Sequence, residues 1–199
     1  MIPPRIRTST QAERGTMTHN ARVHYTVPGL DAEAAGDVIT LLQGRLNALN
    51  DLALTLKHVH WNVTGPHFIA VHTMLDPQVD GVRAMVDDVA ERIATLGGSP
   101  VGTPGALVEQ RTWDDYSIGR DDAIAHLGAL DLVYAGVISD HRSGIETTDK
   151  LDLVTQDMLI AQAGELEQYQ WFVRAHLESS DGRLSTDAAR TEEGAAEQA

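Results

Sequence analysis

The sequence predicts an all-α protein, a four-helix bundle with a short extra helix in the long connection between its second and third helices. Three observations carry this. Four long segments place apolar residues at steps of three and four, and no segment alternates in the manner of a strand. The first link and the last are short, whereas about 20 residues separate the second helix from the third, long enough to cross the bundle rather than turn back.

Residues 1–26 are polar, rich in Thr and Arg and without periodicity, and read as a mobile N-terminal tail. Asp31, after Pro28-Gly29-Leu30, is placed to cap a helix running to about Asn62 through Val38, Leu42, Leu46, Leu49, Leu52, Leu56 and Val59. Gly65-Pro66 stops it. The second helix, about His67 to Leu96, carries Leu75, Val79, Val82, Val86, Val89 and Ile93 and ends at Gly97-Gly98, with Pro77 expected to loosen one turn. In the connection, Gly97 to Gly119, Ala106-Leu107-Val108 suit one or two helical turns. The third helix is expected over about 120–146 and the fourth over about 153–178, so the bundle spans 27–180. Residues 181–199, small and polar, read as a mobile acidic tail.

The chain of 199 residues is 42% hydrophobic and 22% charged, which suits one soluble domain. It has no cysteine, so disulfide frameworks, thiolate clusters and zinc ribbons are excluded, and any metal chemistry falls to nine His and the carboxylates. No transmembrane segment or secretory signal is read, and the expected setting is cytoplasmic. Fifteen basic and 29 acidic residues give a net charge of −14, against a surface made wholly for nucleic acid or anionic membrane. By region the charge is +3 over 1–26, from Arg5, Arg7, Arg14 and Arg22 with Glu13, then −14 over 27–180 and −3 over 181–199.

On the second helix, at 100° per residue, His72, Asp76, Asp87 and Glu91 fall within about 100° of one another, beside the apolar stripe. A solvated helix face also collects acids, so the row alone leaves both readings open. His72 and Asp87 are 15 residues apart, roughly 22 Å along a helix, and cannot hold one ion within a single chain. Two second helices packed antiparallel about a two-fold axis bring the His72/Asp76 end of one chain to the Asp87/Glu91 end of the other and make two equivalent sites. His60, across the Gly65-Pro66 turn, adds a second imidazole, and of His58 and His60 at most one can face that site. Two His with three carboxylates suit iron(II), zinc or manganese. Glu-x-x-His, the signature of a di-iron site inside one bundle, occurs nowhere. Single histidines on helices, His126 and His141 among them, read as core or surface residues.

The string Lys57-His58-Val59-His60-Trp61-Asn62-Val63-Thr64-Gly65-Pro66-His67-Phe68-Ile69-Ala70-Val71-His72-Thr73-Met74-Leu75-Asp76, followed by Asp87-Asp88-Val89-Ala90-Glu91-Arg92, resembles the Dps family of miniature ferritins, the DNA-binding proteins from starved cells. The resemblance extends from about Val27 to Glu178, where Leu166-Glu167-Gln168-Tyr169-Gln170-Trp171-Phe172 is similar to the family's last helix, and it is closest to actinobacterial members. It implies a ferritin-like bundle assembled from two-fold dimers into a hollow homo-dodecamer. That shell oxidises iron(II), preferably with hydrogen peroxide, stores the ferric mineral and protects DNA from oxidative damage. It implies a ferroxidase site holding two irons, with His60, His72 and Asp76 from one chain and Asp87 and Glu91 from its mate. Trp61 reads either as a quencher of stray oxidant or as an interface aromatic. Glu146, Asp149, Asp152 and Asp157 flank the turn where family members line three-fold pores, and ordinary capping is the other reading of them.

The alternative function is nucleoid compaction through the Arg-bearing N-terminus, with affinity falling steeply with salt. A start at Met17 would remove Arg5, Arg7 and Arg14. His19 and His24 form a weak candidate for a tail metal.

Overall fold

A computed structural model describes Val23 and residues 25–199. Arg5, Arg7, Arg14, Arg22, Met17, His19 and His24 lie outside the described residues, and with them the expectations placed on the N-terminal tail. Chain order is α1 (Ala32–Asn62), β1 (Val63–Thr64), α2 (Phe68–Thr95), α3 (Pro104–Gln110), β2 (Asp121–Asp122), α4 (Ala123–Thr148), α5 (Leu153–Leu177) and α6 (Glu192–Gln198).

The Asp31 carboxylate accepts the Ala34 amide at 2.8 Å and caps α1. From there Val38, Leu42, Leu46, Leu49, Leu52, Leu56 and Val59 run down the inner stripe, all buried. The turn after β1 passes through Gly65 at φ +88°, a backbone open to glycine. α2 returns against α1 and continues unbroken through the exposed Pro77. α4 and α5 form the second antiparallel pair, and α1·α4 and α2·α5 contacts close the four-helix ring. The crossover that the long link allows is therefore made. Its close is marked by two residue pairs the sequence does not announce: β1 and β2 run parallel, Val63 beside Asp121 and Thr64 beside Asp122. That pairing delays the third helix to Ala123, past the expected start at 120. The Asp122 carboxylate, accepting the amides of Ile124 and Ala125, becomes its cap. α3 realises the short helix expected in the link.

α4 is the one described helix long and apolar enough by composition to cross a membrane, and more than half of its apolar stretch is buried within the protein. The bundle interior is not wholly apolar. Tyr134 donates to the Gln78 amide oxygen at 2.7 Å, and the His141 ring lies 3.4 Å from Gln162 Oε1. Buried Asp131 accepts from Gln170 and Arg174 at 2.8 and 2.7 Å.

Both chain ends depart from expectation. Val23 and Val27 pack on the core, so packed chain reaches into the region 1–26 read as tail. Gly97, at φ +89°, lets the Tyr25 carbonyl pass where a Cβ would stand. Residues 181–199 are not a free tail. Leu184 bridges to Glu178, Thr191 caps α6 through the Gly194 amide, and α6 packs on α4 with Ala195 fully buried. The reason is steric. Gly128 on α4 has no side chain, and a Cβ there would stand 2.5 Å from the Ala195 carbonyl. A polar composition hides this because α6 docks through alanine and backbone rather than through a hydrophobic stripe.

Candidate metal centre

His60 is in the last turn of α1 and His72 in the second turn of α2, and the hairpin between them holds the two rings stacked at 3.6 Å. His60 Nδ1 is 2.9 Å from the His72 carbonyl and His72 Nδ1 is 2.8 Å from the His60 carbonyl. A carbonyl only accepts, so each Nδ1 carries the proton and each Nε2 keeps a lone pair free. A reciprocal backbone lock of this kind fixes tautomer and orientation, as the outer partners of metal-bound imidazoles do. His58 is committed elsewhere, its Nε2 donating to the Ile118 carbonyl at 2.9 Å.

Asp76 lies one helical turn beyond His72. Its carboxylate accepts from the Lys57 ammonium at 2.9 Å and stands 3.3 Å from His60 Nδ1. The Lys57 hydrogen bond, with the charge of the same ammonium, holds the Asp76 carboxyl below the usual range, against a smaller opposing effect of burial. Lys57 is the functional neighbour that sequence reasoning passed over. Its signal was its place three residues before His60, on the same side of α1.

Asp87 and Glu91 are exposed on the same unbroken α2, roughly 22 Å beyond His72 for Asp87 by helical rise. The structure thus brings His60, His72 and Asp76 together and leaves Asp87 and Glu91 apart. Among the described residues, no three His, Asp or Glu side chains of one chain form a group able to hold a metal ion. Apolar side chains near in sequence to the His pair are exposed. Trp61 is 72% and Ile69 62% exposed, and the Phe68 ring is 5.0 Å from His72. Large exposed apolar side chains clustered beside such a group mark a surface made to be covered.

Of the pore candidates, Glu146, Asp149 and Asp157 are exposed. Asp152 is not a free carboxylate. It caps α5, accepts from Thr155 and is ion-paired with Arg92 at 2.5 Å, with a side chain only 10% exposed. Those hydrogen bonds hold its carboxyl below the usual range although burial pushes the other way. Capping, the other sequence reading, is the one that Asp152 fulfils.

The ferritin-like domain family matches residues 39–181. The DNA protection during starvation protein of Mycolicibacterium smegmatis is 63% identical over 175 residues, which cover 88% of this chain and 96% of that protein. The chain belongs to the Dps family. The solved structure of Mycobacterium smegmatis Dps superposes with a TM-score of 0.83 at 63% identity, covering 84% of this chain and 95% of that one. A further relative is similar to this Dps-family chain under another description. The fine tangled pili major subunit of Haemophilus ducreyi is 46% identical over 181 residues, covering 91% of this chain and 96% of its own.

Proposed function

We propose that the chain is the subunit of a Dps-type cage that oxidises iron(II), preferably with hydrogen peroxide, and stores the ferric product. The observation that carries this is the reciprocal His60–His72 lock, which spends both Nδ1 protons on backbone and leaves both Nε2 atoms unprotonated, with the exposed Asp76 carboxylate 3.3 Å from His60 Nδ1. Imidazole and carboxylate without thiolate are donors suited to iron. Asp76 with Asp87 and Glu91 from a two-fold mate would complete each of two equivalent sites, and the exposed Trp61 and Ile69 would be covered in the same step. Carboxylates favour the ferric over the ferrous ion, which lowers the potential. Neutral imidazoles hold iron(II) without adding charge. Zinc or manganese would suit the same ligands. A body of −14 draws cations toward the shell, with Glu146, Asp149 and Asp157 as the exposed acids for a pore. The expected setting remains cytoplasmic.

The deciding experiment mixes iron(II)-loaded protein with peroxide and follows ferric absorbance, with particle mass measured in parallel. Twelve subunits of 21.6 kDa give about 259 kDa. An Asp87→Ala/Glu91→Ala variant of unchanged mass should lose the fast phase, and an unchanged rate removes these residues from the site. Nucleoid compaction is the second reading, and the name of the Mycolicibacterium relative speaks of DNA protection. Gel shifts at about 50 mM salt, comparing the full chain with one starting at Met17, decide it.

A further inference from the structure

Tyr116 and His126 form a pair outside the iron half-site. The Tyr116 phenol oxygen, in the link before β2, is 3.0 Å from Nδ1 of His126 on α4, and the two rings stack at 6.1 Å. His126 is fully buried, and its Nε2 makes no hydrogen bond. The other tyrosines are placed differently. Tyr25 is 70% exposed, Tyr134 donates to an amide oxygen and Tyr169 to the Glu165 carboxylate. Among the described residues, only Tyr116 is bonded to an imidazole.

A neutral imidazole holds one proton. With the phenol donating to Nδ1, that proton sits on Nε2, at the end of α1 where last-turn carbonyls lack helical partners. Burial keeps the ring neutral, while Asp121, the Asn62 backbone and Asp122 favour a second proton on it. Burial also raises the Tyr116 phenol far above its ordinary value, so it does not ionise unaided. The pair therefore stays neutral at rest, and its proton can move only along the bond to His126. Tyr116 also meets the His58 ring edge-on at 5.8 Å, and His58 precedes His60 by two residues on α1, about 3 Å along the axis and about 200° around it, so the electron crosses the width of α1 to reach the half-site.

We propose that Tyr116 is a one-electron donor, with His126 as its proton acceptor, that drains hydroxyl radical formed beside the His60–His72 half-site. The radical takes one electron and becomes hydroxide. The Tyr116 O–H bond breaks, its proton forms an N–H bond at His126 Nδ1, and a neutral tyrosyl radical remains. A later iron(II) gives up one electron and becomes iron(III), the His126 proton returns to the phenol oxygen, and the pair is reset. The source of the oxidant rests on the ferroxidase reading, whereas the chemistry of the pair does not.

The test takes the full-length, metal-free oligomer, oxidises it with azide radicals from pulse radiolysis and reads tyrosyl radical by freeze-quench electron paramagnetic resonance. The native protein should give a tyrosyl signal that Tyr116→Phe loses and Tyr169→Phe retains. Transfer of the Tyr116 hydrogen predicts slower radical formation in D2O, an isotope effect that His126→Asn should abolish. Persistence of the signal in Tyr116→Phe overturns the proposal, as does an isotope effect unchanged in His126→Asn. If His126→Asn fails to assemble, the Tyr116→Phe arm still decides. A second arm replaces radiolysis with iron(II) and peroxide. A signal from radiolysis with none from iron and peroxide overturns the draining role, and the absorbance assay above judges the ferroxidase reading separately.

Discussion

Lowering the pH from 7 to 4 should destabilise the subunit, with the largest share through His141. Its ring is fully buried between α4 and α5, and burial lowers its pKa from 6.5 to about 4, with the nearby Arg45 charge acting in the same direction. Between those values the unfolded chain binds a proton that the folded chain refuses. Stability conferred by neutral His141 is therefore whole above about pH 6.5 and is lost as the pH falls toward 4. At 1.36 kcal/mol per unit, the shift amounts to about 3 kcal/mol, with a slope of up to roughly 1.4 kcal/mol per pH unit inside the window. The assay is urea unfolding at several pH values and fixed subunit concentration, since assembly contributes to stability. His141→Gln keeps a polar group beside Gln162 but does not titrate. Whatever its absolute stability, its curve should be flatter than the native one between pH 4 and 6.5. Parallel curves across that window would refute the reasoning.

Four further perturbations have defined outcomes. Gly128→Ala should dislodge α6 and leave the bundle intact, so hydrogen exchange accelerates across 192–198 and little elsewhere. Gly97→Ala forces a left-handed backbone on alanine and meets the Tyr25 carbonyl, a loss of about 1–3 kcal/mol in thermal or urea unfolding. Asp152→Ala removes a helix cap and the partner of Arg92, at about 2–3 kcal/mol, and Asp152→Asn should recover part of it by keeping the cap. Lys57→Met removes the principal cause of the low Asp76 pKa. Its carboxyl should titrate at higher pH by NMR, and an iron(II) titration should show tighter binding, because the cation competing for Asp76 is gone.

The bundle and the separation of His72/Asp76 from Asp87/Glu91 were legible because both follow from helical arithmetic. The stripe from Val38 to Val59 fixes which face of α1 is inside, and fifteen residues between His72 and Asp87 forbid a shared ion in one chain whatever the packing. The proposed iron chemistry rests on residue types and on the resemblance of 57–76 to Dps proteins. The exchange of Nδ1 hydrogen bonds between His60 and His72 was not, since it depends on how two backbone segments meet across a turn. Nor were the Lys57–Asp76 and Arg92–Asp152 contacts, which join residues 19 and 60 positions apart.

The sequence by itself determined the helices, their inward faces and the separation of His72 from Asp87 along one helix, because periodicity and rise per residue are local properties. Only the tertiary structure decided that 181–199 folds back on α4, that Asp152 is capped and paired rather than free, and that Tyr116 and His126 meet. Each of these depends on a close approach between distant segments: a missing Cβ at Gly128, a guanidinium reaching across from α2, a phenol set against a buried imidazole. Spacing along the chain carries no record of such approaches.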